Sequence, residues 1–284
     1  MAEHILTFDV EYWYQGFVQR NLDGWQRYPP RDKESIEKIV GLLEEFNVRA
    51  TFFVLGKFAE RYPNIVRLLA SAGHEIGTHG YGHYAITAQS REGFREDLHR
   101  SISILENIIG EKVIGHRAAR WSMSREALWA VEIMLSEGIQ YDSSVFPTQI
   151  HSYGLRQAPT EPFLLELSSG VSILEFPAQV LTLGFLRIPA AGGFYMRVLP
   201  GLFSRWALRQ SDRRGVHGMV YLHPYDLDSD TPRLSVPLSF RVVRYHNLKK
   251  TLPLLRAMMK EFHFCSVRKV LGEPGFNVPS QNIS

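Results

Sequence analysis

Seven apolar segments of strand length are spread along the chain, and segments with helical spacing separate several of them. Each is short and is bounded by polar residues or glycine, as is typical of a buried strand. Strands that alternate with helices through short connections form parallel sheets covered by helices. The pattern therefore predicts an α/β fold, with a barrel-like parallel sheet in a single domain over residues 1–284. The predicted strands are residues 4–10, 48–56, 74–79, 112–118, 139–146, 171–178 and 217–223.

Apolar residues at intervals of three and four mark helices between these strands. Ser124 precedes REALWAVEIMLSEG and is predicted to be the N-cap of a helix that stops at Gly138. No linker rich in proline, glycine or serine divides the chain, which again favours one domain. Two further helices are marked by Ile36, Ile39, Val40, Leu43 and Phe46, and by Leu98, Ile102, Leu105 and Ile109.

Composition narrows the class of protein. Of the 284 residues, 45% are hydrophobic, which allows a sizeable core. The single cysteine, Cys265, excludes an internal disulfide framework and a cysteine-rich zinc site. Acidic residues interrupt the first apolar segment, so we expect no signal peptide, no membrane span and a cytoplasmic location. A formal charge of +3 without a dense Lys/Arg block argues against nucleic acid and gives weak support to an anionic substrate or a lipid surface.

Side chains capable of chemistry follow five of the predicted strands. Catalytic groups of parallel barrels lie at the carboxyl ends of the strands, so these side chains are expected to share one end of the sheet. Asp9 and Glu11 are two apart on the first strand, which places both carboxylates on the same side. The other groups are His79 and His83, His116 and Arg117, Asp142, and His223.

The segment HEIGTHGYGHY, residues 74–84, favours a metal site. His79 and His83 are four apart, and the glycines between them let the chain turn so that both rings reach one ion. Two imidazoles and a carboxylate are a common ligand set for a first-row metal, and zinc with an open position for water is its usual hydrolytic form. A lone buried histidine is more often structural, and we interpret His4, His74, His99, His217, His246 and His263 as structural or exposed.

Five motifs in this order resemble those of the polysaccharide deacetylases of carbohydrate esterase family 4. They are FDVE (8–11), H-x3-H (79–83), GHRAARW (115–121), YDSSVFP (141–147) and LHPYD (222–226). The DVE start, the YDSSVFP segment and the block at 240–271 are most similar to a bacterial subgroup associated with exopolysaccharide and surface-glycan synthesis. The likeness covers nearly the whole chain.

The resemblance implies a distorted (β/α) barrel that removes N-acetyl groups from amino sugars with water activated by Zn²⁺ or another divalent first-row metal. It also implies a helix-strand element at 240–271 packed on the barrel. Val10 stands where the family has a second aspartate, so Glu11 becomes the candidate ligand and Asp9 the candidate base, although the two could exchange roles. His79 and His83 match the other ligands. Further matches are Arg117, which orients the catalytic carboxylate, His223, the general acid, and Asp142, which supports that histidine.

Candidate substrate contacts are less specific. The aromatic residues of the loop 12–30 are interpreted either as a platform for a sugar ring or as a small satellite core. Arg120 follows Arg117 and is a candidate for meeting charge on the substrate. The segment 202–214 has a basic face beside apolar residues, and it either packs on the core or touches a membrane. The substrate-binding candidates are Tyr12, Trp13, Tyr14, Trp25, Arg120, Trp121 and Tyr195.

The sequence therefore predicts a metal-dependent N-deacetylase for an N-acetylated sugar substrate in surface polysaccharide or O-antigen biosynthesis. A lipid-linked or nucleotide-linked precursor in the cytoplasm is favoured over finished polymer, since no export signal is expected. Two alternatives stay open. One is a non-sugar amide hydrolase of the same fold, such as a deformylase or a ring-opening amidohydrolase. The other is a glycan-binding protein that has lost turnover. No oligomeric state is predicted.

Overall fold

A computed structural model describes residues 2–15, 31–149, 154–234 and 237–282. Its main feature is a twisted sheet in which seven neighbouring strands are parallel, which confirms the predicted α/β fold. The described strands leave the barrel open, because the sheet order begins at one strand and ends at another without closing. In sheet order the parallel strands are Met219–Leu222 (β10), His4–Val10 (β1), Thr51–Val54 (β2), Glu75–Thr78 (β3), Gly115–His116 (β4), Tyr141–Asp142 (β5) and Ser172–Glu175 (β7).

Five further strands were not predicted from the sequence. Phe163–Glu166 (β6) runs antiparallel to β7, and Ser280–Asn282 (β12) extends the sheet beyond it. Phe264–Cys265 (β11) pairs with the start of β1, while Val180–Leu183 (β8) and Leu186–Pro189 (β9) form a separate hairpin. These strands have two to four residues and several are partly exposed, so their apolar patterns are weak.

Helices cover the sheet. Two predicted helices are present at the expected places, Asp32–Glu45 (α1) and Arg91–Ile109 (α4). The Ser90 side chain accepts a hydrogen bond from the Gly93 N–H at the start of α4, and Gly110 ends the helix with a φ of 74°. The remaining helices are Gly56–Arg61 (α2), Pro63–Ser71 (α3), Ala130–Ser136 (α5), Gly193–Val198 (α6), Gly201–Arg214 (α7), Leu238–Tyr245 (α8), Leu248–Glu261 (α9) and Val267–Leu271 (α10).

The prediction that Ser124 caps a helix is wrong. A 3-10 turn at Arg125–Ala127 follows Ser124, and α5 begins only at Ala130. The Ser124 hydroxyl is buried and makes no hydrogen bond within the described residues. Gly138 does lie where the helix stops, with a φ of 88°. A capping serine must be adjacent to the first turn, and the intervening 3-10 turn separates the two.

The core lies on both faces of the central strands, and β1 is buried at all seven positions. Because parallel strands are covered on both faces, only their ends and the following loops are accessible. Beyond the sheet, α9 packs against α6 and against the turn Pro224–Leu227 that follows β10. Among the described helices, none is both long and apolar enough to cross a membrane.

Candidate active site

The three predicted metal ligands lie together at the carboxyl ends of β1 and β3. Glu11, His79 and His83 are buried, and one ligand atom from each lies within 4.8 Å of the others. The Nε2 of His83 is 2.8 Å from the Oε2 of Glu11. Two imidazole nitrogens and one carboxylate oxygen are the donor set of many hydrolytic zinc sites, which leave the fourth position for water. The residues therefore fit a divalent first-row metal.

The ring of His79 is oriented for ligation. Its Nδ1 donates a hydrogen bond to the backbone carbonyl of Arg117, at 2.9 Å. This bond fixes the tautomer and leaves Nε2 with a lone pair. Burial lowers the pKa of His79 to about 4, so its imidazole is neutral at physiological pH. A neutral ring is the form that binds a metal.

Helix α4 holds the loop that carries His83. The carboxylate of Asp97 accepts hydrogen bonds from the Tyr81 N–H, at 2.7 Å, and the Gly82 N–H, at 2.9 Å. Gly80 has a φ of 71°, which is accessible to glycine without strain. His83 itself has a φ of 62°, an uncommon conformation for a non-glycine residue. The backbone strain at His83 is therefore balanced by hydrogen bonds from the helix, which fix the second ring beside the first.

The carboxyl group of Glu11 is ionised. Burial alone would raise its pKa, but the neighbouring His83 outweighs this effect and, with His223 and His79, lowers the pKa to about 2. The Tyr225 hydroxyl also donates to Glu11 Oε1, at 3.4 Å. An ionised carboxylate among three imidazoles is consistent with a ligand position.

Asp9 lies beside Arg117 rather than within the histidine cluster. Its Oδ1 accepts a hydrogen bond of 2.8 Å from Arg117 Nη1. The guanidinium is fully buried, and it also donates to Thr7 Oγ1 and to the carbonyl and hydroxyl oxygens of Ser143, at 2.8 to 2.9 Å. A buried charge pair with this many partners is rigid, so the second oxygen of Asp9 has a fixed direction.

The predicted proton donor, His223, follows β10 and faces both carboxylates. Its Nε2 is 3.9 Å from Asp9 Oδ2 and 3.8 Å from Glu11 Oε1. Its Nδ1 lies 3.3 Å from the Oδ2 of Asp226, which also accepts the His223 backbone N–H at 2.9 Å. Burial would lower the pKa of His223, but the hydrogen bond to Asp226 and the charges of Glu11, Asp226 and Asp9 together raise it. The imidazolium form is therefore stabilised.

The predicted role of Asp142 is wrong. Its Oδ1 bonds to His116 Nδ1, at 2.8 Å, and to the Ser144 hydroxyl, at 2.6 Å, instead of supporting His223. His116 and Asp142 are register partners on β4 and β5, so their side chains meet on one face of the sheet. The carboxylate that supports His223 is Asp226, three residues further along the same turn.

Asp142 instead contributes to a network that fixes the loop after β5. Burial, with the charge of Asp142, raises the pKa of Glu175 well above its ordinary value and so favours the protonated form of that carboxyl group. Glu175 Oε1 accepts hydrogen bonds from the backbone N–H groups of Ser144 and Val145. The adjacent Ser143 is a partner of Arg117, and the network thereby acts on the site through Arg117.

Most of the predicted sugar contacts are packed inside the protein. Tyr12, Trp13 and Tyr14 are buried, and the rings of Tyr12 and Tyr14 stack with their centroids 5.2 Å apart. These rings agree with the satellite-core interpretation and contradict an exposed platform. Trp25 lies outside the described residues.

Trp121 and Tyr195 also pack rather than project. Trp121 is buried between the Arg117 guanidinium, 4.8 Å from its ring, and the ring of Tyr221. Tyr195 is partly buried, with its ring centroid 6.2 Å from that of Phe146. Their predicted contacts with substrate would therefore need a rearrangement.

Two residues at the same end of the sheet are exposed. Arg120 has a φ of 60° and makes no hydrogen bond or ion pair within the described part of the chain. Tyr84 follows His83 and has 53% of its surface exposed. Their loops are connected by a hydrogen bond from the Ile86 N–H to the Ser122 hydroxyl.

Comparison with known families divides the chain into two parts. Residues 4–134 match the family model "Polysaccharide deacetylase", and residues 143–272 match "Domain of unknown function (DUF3473)". The first part contains Asp9, the three ligand candidates and Arg117, while the second contains His223.

Curated relatives are similar in sequence to segments of the chain. A peptidoglycan-N-acetylglucosamine deacetylase of Bacillus cereus is 39% identical over 28% of this chain and 29% of its own length. A peptidoglycan deacetylase of Helicobacter pylori is 26% identical over 43% of this chain and 40% of its own length. These matches support the polysaccharide deacetylase family. The chain thus spans well under half the length of each of these relatives.

Solved structures of the polysaccharide deacetylase fold resemble the chain over nearly its full length. A candidate polysaccharide deacetylase from Mycobacterium smegmatis has a TM-score of 0.66 and 22% identity, covering 95% of this chain and 88% of its own. A family 4 carbohydrate esterase from Streptomyces lividans has a TM-score of 0.51 and 13% identity, covering 93% and 91%. At these identities the likeness supports the fold alone.

Proposed function

We propose that the chain is a metal-dependent hydrolase that removes the acetyl group from the nitrogen of an amino sugar. One observation carries this proposal. A ligand cluster, a carboxylate paired with arginine and a histidine paired with a carboxylate converge at one end of the sheet. Amide hydrolysis needs three things, which are a polarised carbonyl, deprotonated water and a proton for the leaving nitrogen.

The cluster would hold the metal through Glu11, His79 and His83. When bound there, a divalent metal lowers the pKa of water and polarises the carbonyl oxygen. Asp9 is the candidate base because its Oδ2 is free of the Arg117 bond and faces the same space. Glu11 is the better ligand candidate because it lies within the cluster, whereas Asp9 is held by Arg117. This geometry supports the assignment that the sequence left open.

His223 is the candidate acid. Its Nε2 faces the carboxylates, and its Nδ1 is directed at Asp226. Proton transfer from Nε2 to the amine nitrogen would accompany cleavage of the carbon–nitrogen bond and leave a neutral ring. Asp226 stabilises the charged ring beforehand and fixes the tautomer afterwards.

For the substrate, we propose an N-acetylated sugar precursor of a surface polysaccharide or O-antigen, linked to a lipid or a nucleotide. Arg120 is exposed near the site and suits the phosphate groups of both kinds of precursor. Leu202 and Trp206 on α7 are 58% and 36% exposed and offer a peripheral contact with the membrane that carries a lipid-linked form. We propose a cytoplasmic location to match such a precursor.

Metal analysis and a substrate panel test the function together. Protein purified without chelator should contain about one equivalent of a first-row divalent metal. Acetate release should then be measured on chitooligosaccharides, UDP-N-acetylglucosamine and N-formyl amides, with the H83A variant as the inactive control. Acetate from the sugars supports the proposal, and formate from the N-formyl amides alone supports the deformylase alternative. Bound metal without turnover of any substrate would favour a glycan-binding protein.

A further inference from the structure

The candidate acid His223 is supported from outside the parallel sheet. Asp226 contacts the ring through Oδ2, and its other oxygen, Oδ1, accepts a hydrogen bond of 2.9 Å from Arg197 Nη2 on α6. Arg197 and Asp226 are both 2% exposed or less. The two residues are separated by 29 positions in the sequence, so the pair is a product of the tertiary fold.

Arg197 is itself held by the backbone near the end of α8. Its Nη1 donates to the carbonyl oxygens of Arg244, at 3.0 Å, and His246, at 3.2 Å, while Nη2 donates to that of Val243, at 3.0 Å. Its Nε donates to the Gly193 carbonyl, at 3.1 Å. The planar guanidinium thus has partners on all three nitrogens, which fixes the direction of the bond to Asp226.

A second contact from α8 reaches the face of the same imidazole. The Arg244 guanidinium lies over the Tyr225 ring, 3.0 Å from its centroid. The Tyr225 ring in turn stacks on His223, with centroids 4.6 Å apart and planes 13° from parallel. The end of α8 therefore braces both the Nδ1 edge of His223, through Arg197, and its face, through Arg244.

The first residue of α6 limits the position of Asp226 from the other side. A Cβ atom on Gly193 would lie 2.0 Å from Asp226 Oδ2, which is far inside any allowed contact. Only glycine leaves room for the carboxylate in its present place. Asp226 is thus confined between the backbone of Gly193 and the guanidinium of Arg197.

We propose that Arg197 is a positioning residue for the proton donor. By fixing Asp226 it holds the His223 ring so that Nε2 points toward the leaving nitrogen, and the α8 end serves as its anchor. This inference rests on the proposed function, because it concerns the proton-transfer step of that reaction. It assigns a task to the part of the chain that matches a domain of unknown function.

The dependence of the rate on the leaving group distinguishes a positioning role of Arg197 from a general effect on folding. An amine must be protonated as it leaves, whereas the nitrophenolate of p-nitrophenyl acetate leaves without a proton. R197M should therefore lower kcat on N-acetylated chitooligosaccharide by roughly 10- to 100-fold and change p-nitrophenyl acetate hydrolysis by less than about threefold. KM should change little. R197K keeps the charge and should recover part of the loss.

Arg187 offers a matched control. Its Nη1 donates to three backbone carbonyl oxygens, those of Pro147, Arg156 and Ala158, at 2.7 to 2.9 Å. R187M removes a comparable set of contacts, so it should lower the melting temperature and keep the ratio of amide to ester rates. If R197M does not fold, G193A provides the test, because it displaces Asp226 while Arg197 stays. G193A should then lower the amide rate much more than the ester rate.

Equal losses on the amide and the ester, or no loss on either, would overturn the inference. If the wild-type protein hydrolyses the ester but no N-acetyl sugar, the proposed function fails, and the positioning role is decided by ¹⁵N-histidine NMR. At a pH high enough to make the His223 ring neutral, the wild-type spectrum should show His223 as one tautomer with Nδ1 protonated, and R197M should show a mixture. An unchanged His223 signal in R197M would contradict the role of Arg197.

Discussion

Residues 4–134 and 143–272 contribute different chemistry to one site, and they hold their side chains in different ways. In the first part, Asp9, Glu11, His79 and Arg117 lie within a few residues of buried parallel strands and are less than 5% exposed. In the second part, His223 has 21% of its side chain exposed and depends on helices beyond the sheet. These groups of the first part are held mainly by the sheet, and the loop that carries His83 is held by α4, whereas the proton donor is supported by a longer chain of contacts.

The largest expected effect is loss of the metal from the first part. H79A and H83A should each fold and lose most bound zinc or other first-row metal, because each removes one of three protein ligands. Acetate release should fall to background. H99A, which changes an exposed histidine outside the site, is the control and should retain the bound metal and the acetate release. Stoichiometric metal in H79A or H83A, measured by mass spectrometry, would remove that residue from the ligand set.

The two carboxylates of β1 should separate metal binding from base catalysis. E11Q should weaken metal affinity by roughly tenfold or more. D9N should keep the metal and lower turnover by roughly 100- to 10,000-fold, since the neutral amide cannot accept a proton. Metal content, melting temperature and acetate release on both variants distinguish the outcomes.

The reverse result has a defined meaning. If D9N loses the metal while E11Q keeps it and stays inactive, the two residues have exchanged roles. If D9N only lowers the melting temperature and the rate per folded molecule is unchanged, Asp9 is a structural partner of Arg117.

A substitution at the proton donor of the second part should lower turnover without lowering the metal content. H223A should lower acetate release by roughly 100-fold or more, because it removes the group that protonates the leaving nitrogen. H217A, which alters a histidine 3.5 Å from Glu273 and outside the site, is the control. Near-normal rates of H223A on an unactivated acetamide would exclude His223 from the mechanism.

A pH-dependent difference in stability is expected at Asp32, which belongs to the first part. Its Oδ1 accepts the Trp13 N–H, at 2.8 Å, whereas Oδ2 is buried without a hydrogen bond within the described residues. Burial raises the pKa of Asp32 to about 7, so the folded state favours the protonated acid. The stability that this proton contributes is complete below the unfolded pKa of about 4 and is lost as the pH rises through about 7.

D32N keeps the acceptor for Trp13 and removes this dependence on pH. Relative to wild type, its free energy of unfolding should rise by about 1 to 3 kcal/mol between pH 5 and 8. E34Q on the same helix is the exposed control. Parallel curves of unfolding free energy against pH for D32N and wild type would contradict the raised pKa.

Asp226 contrasts with Asp32, since the charges of Arg197 and His223 outweigh burial and hold the pKa of Asp226 well below its usual range.

The smallest expected effect concerns substrate charge. R120Q should raise KM for UDP-N-acetylglucosamine by roughly two- to fivefold and leave the KM for a neutral chitooligosaccharide unchanged. R125Q, at another exposed arginine five residues away, should change neither. Equal KM values for R120Q and wild type on the nucleotide sugar would exclude a contact between Arg120 and phosphate.

The sequence was sufficient for the parallel strands and for the groups at their ends. Most of these strands lie within apolar segments. Asp9 and Glu11 flank the last residue of β1, and His79 and His83 lie one and five residues after the end of β3. Asp226 was assigned no role, although it lies in LHPYD, because only the turn after β10 decides which carboxylate reaches His223. The contact between Arg197 and Asp226 could not be predicted, because it depends on how α6 packs.

Burial was the other property that the sequence did not specify. The aromatic pattern of Tyr12, Trp13 and Tyr14 is the same for a platform and for a packed cluster, and only the neighbours α1 and α2 distinguish them. Short strands such as β8 and β9 have too few residues to show a period.

The division of the site between the two parts of the chain is tested most directly by the metal content of H223A and H79A, purified side by side without chelator. We predict about one equivalent of metal in wild type and H223A, and little in H79A, because only the first part supplies ligands. Loss of the metal from H223A, or its full retention in H79A, would contradict the assignment of the metal to residues 4–134 and of the acid to residues 143–272.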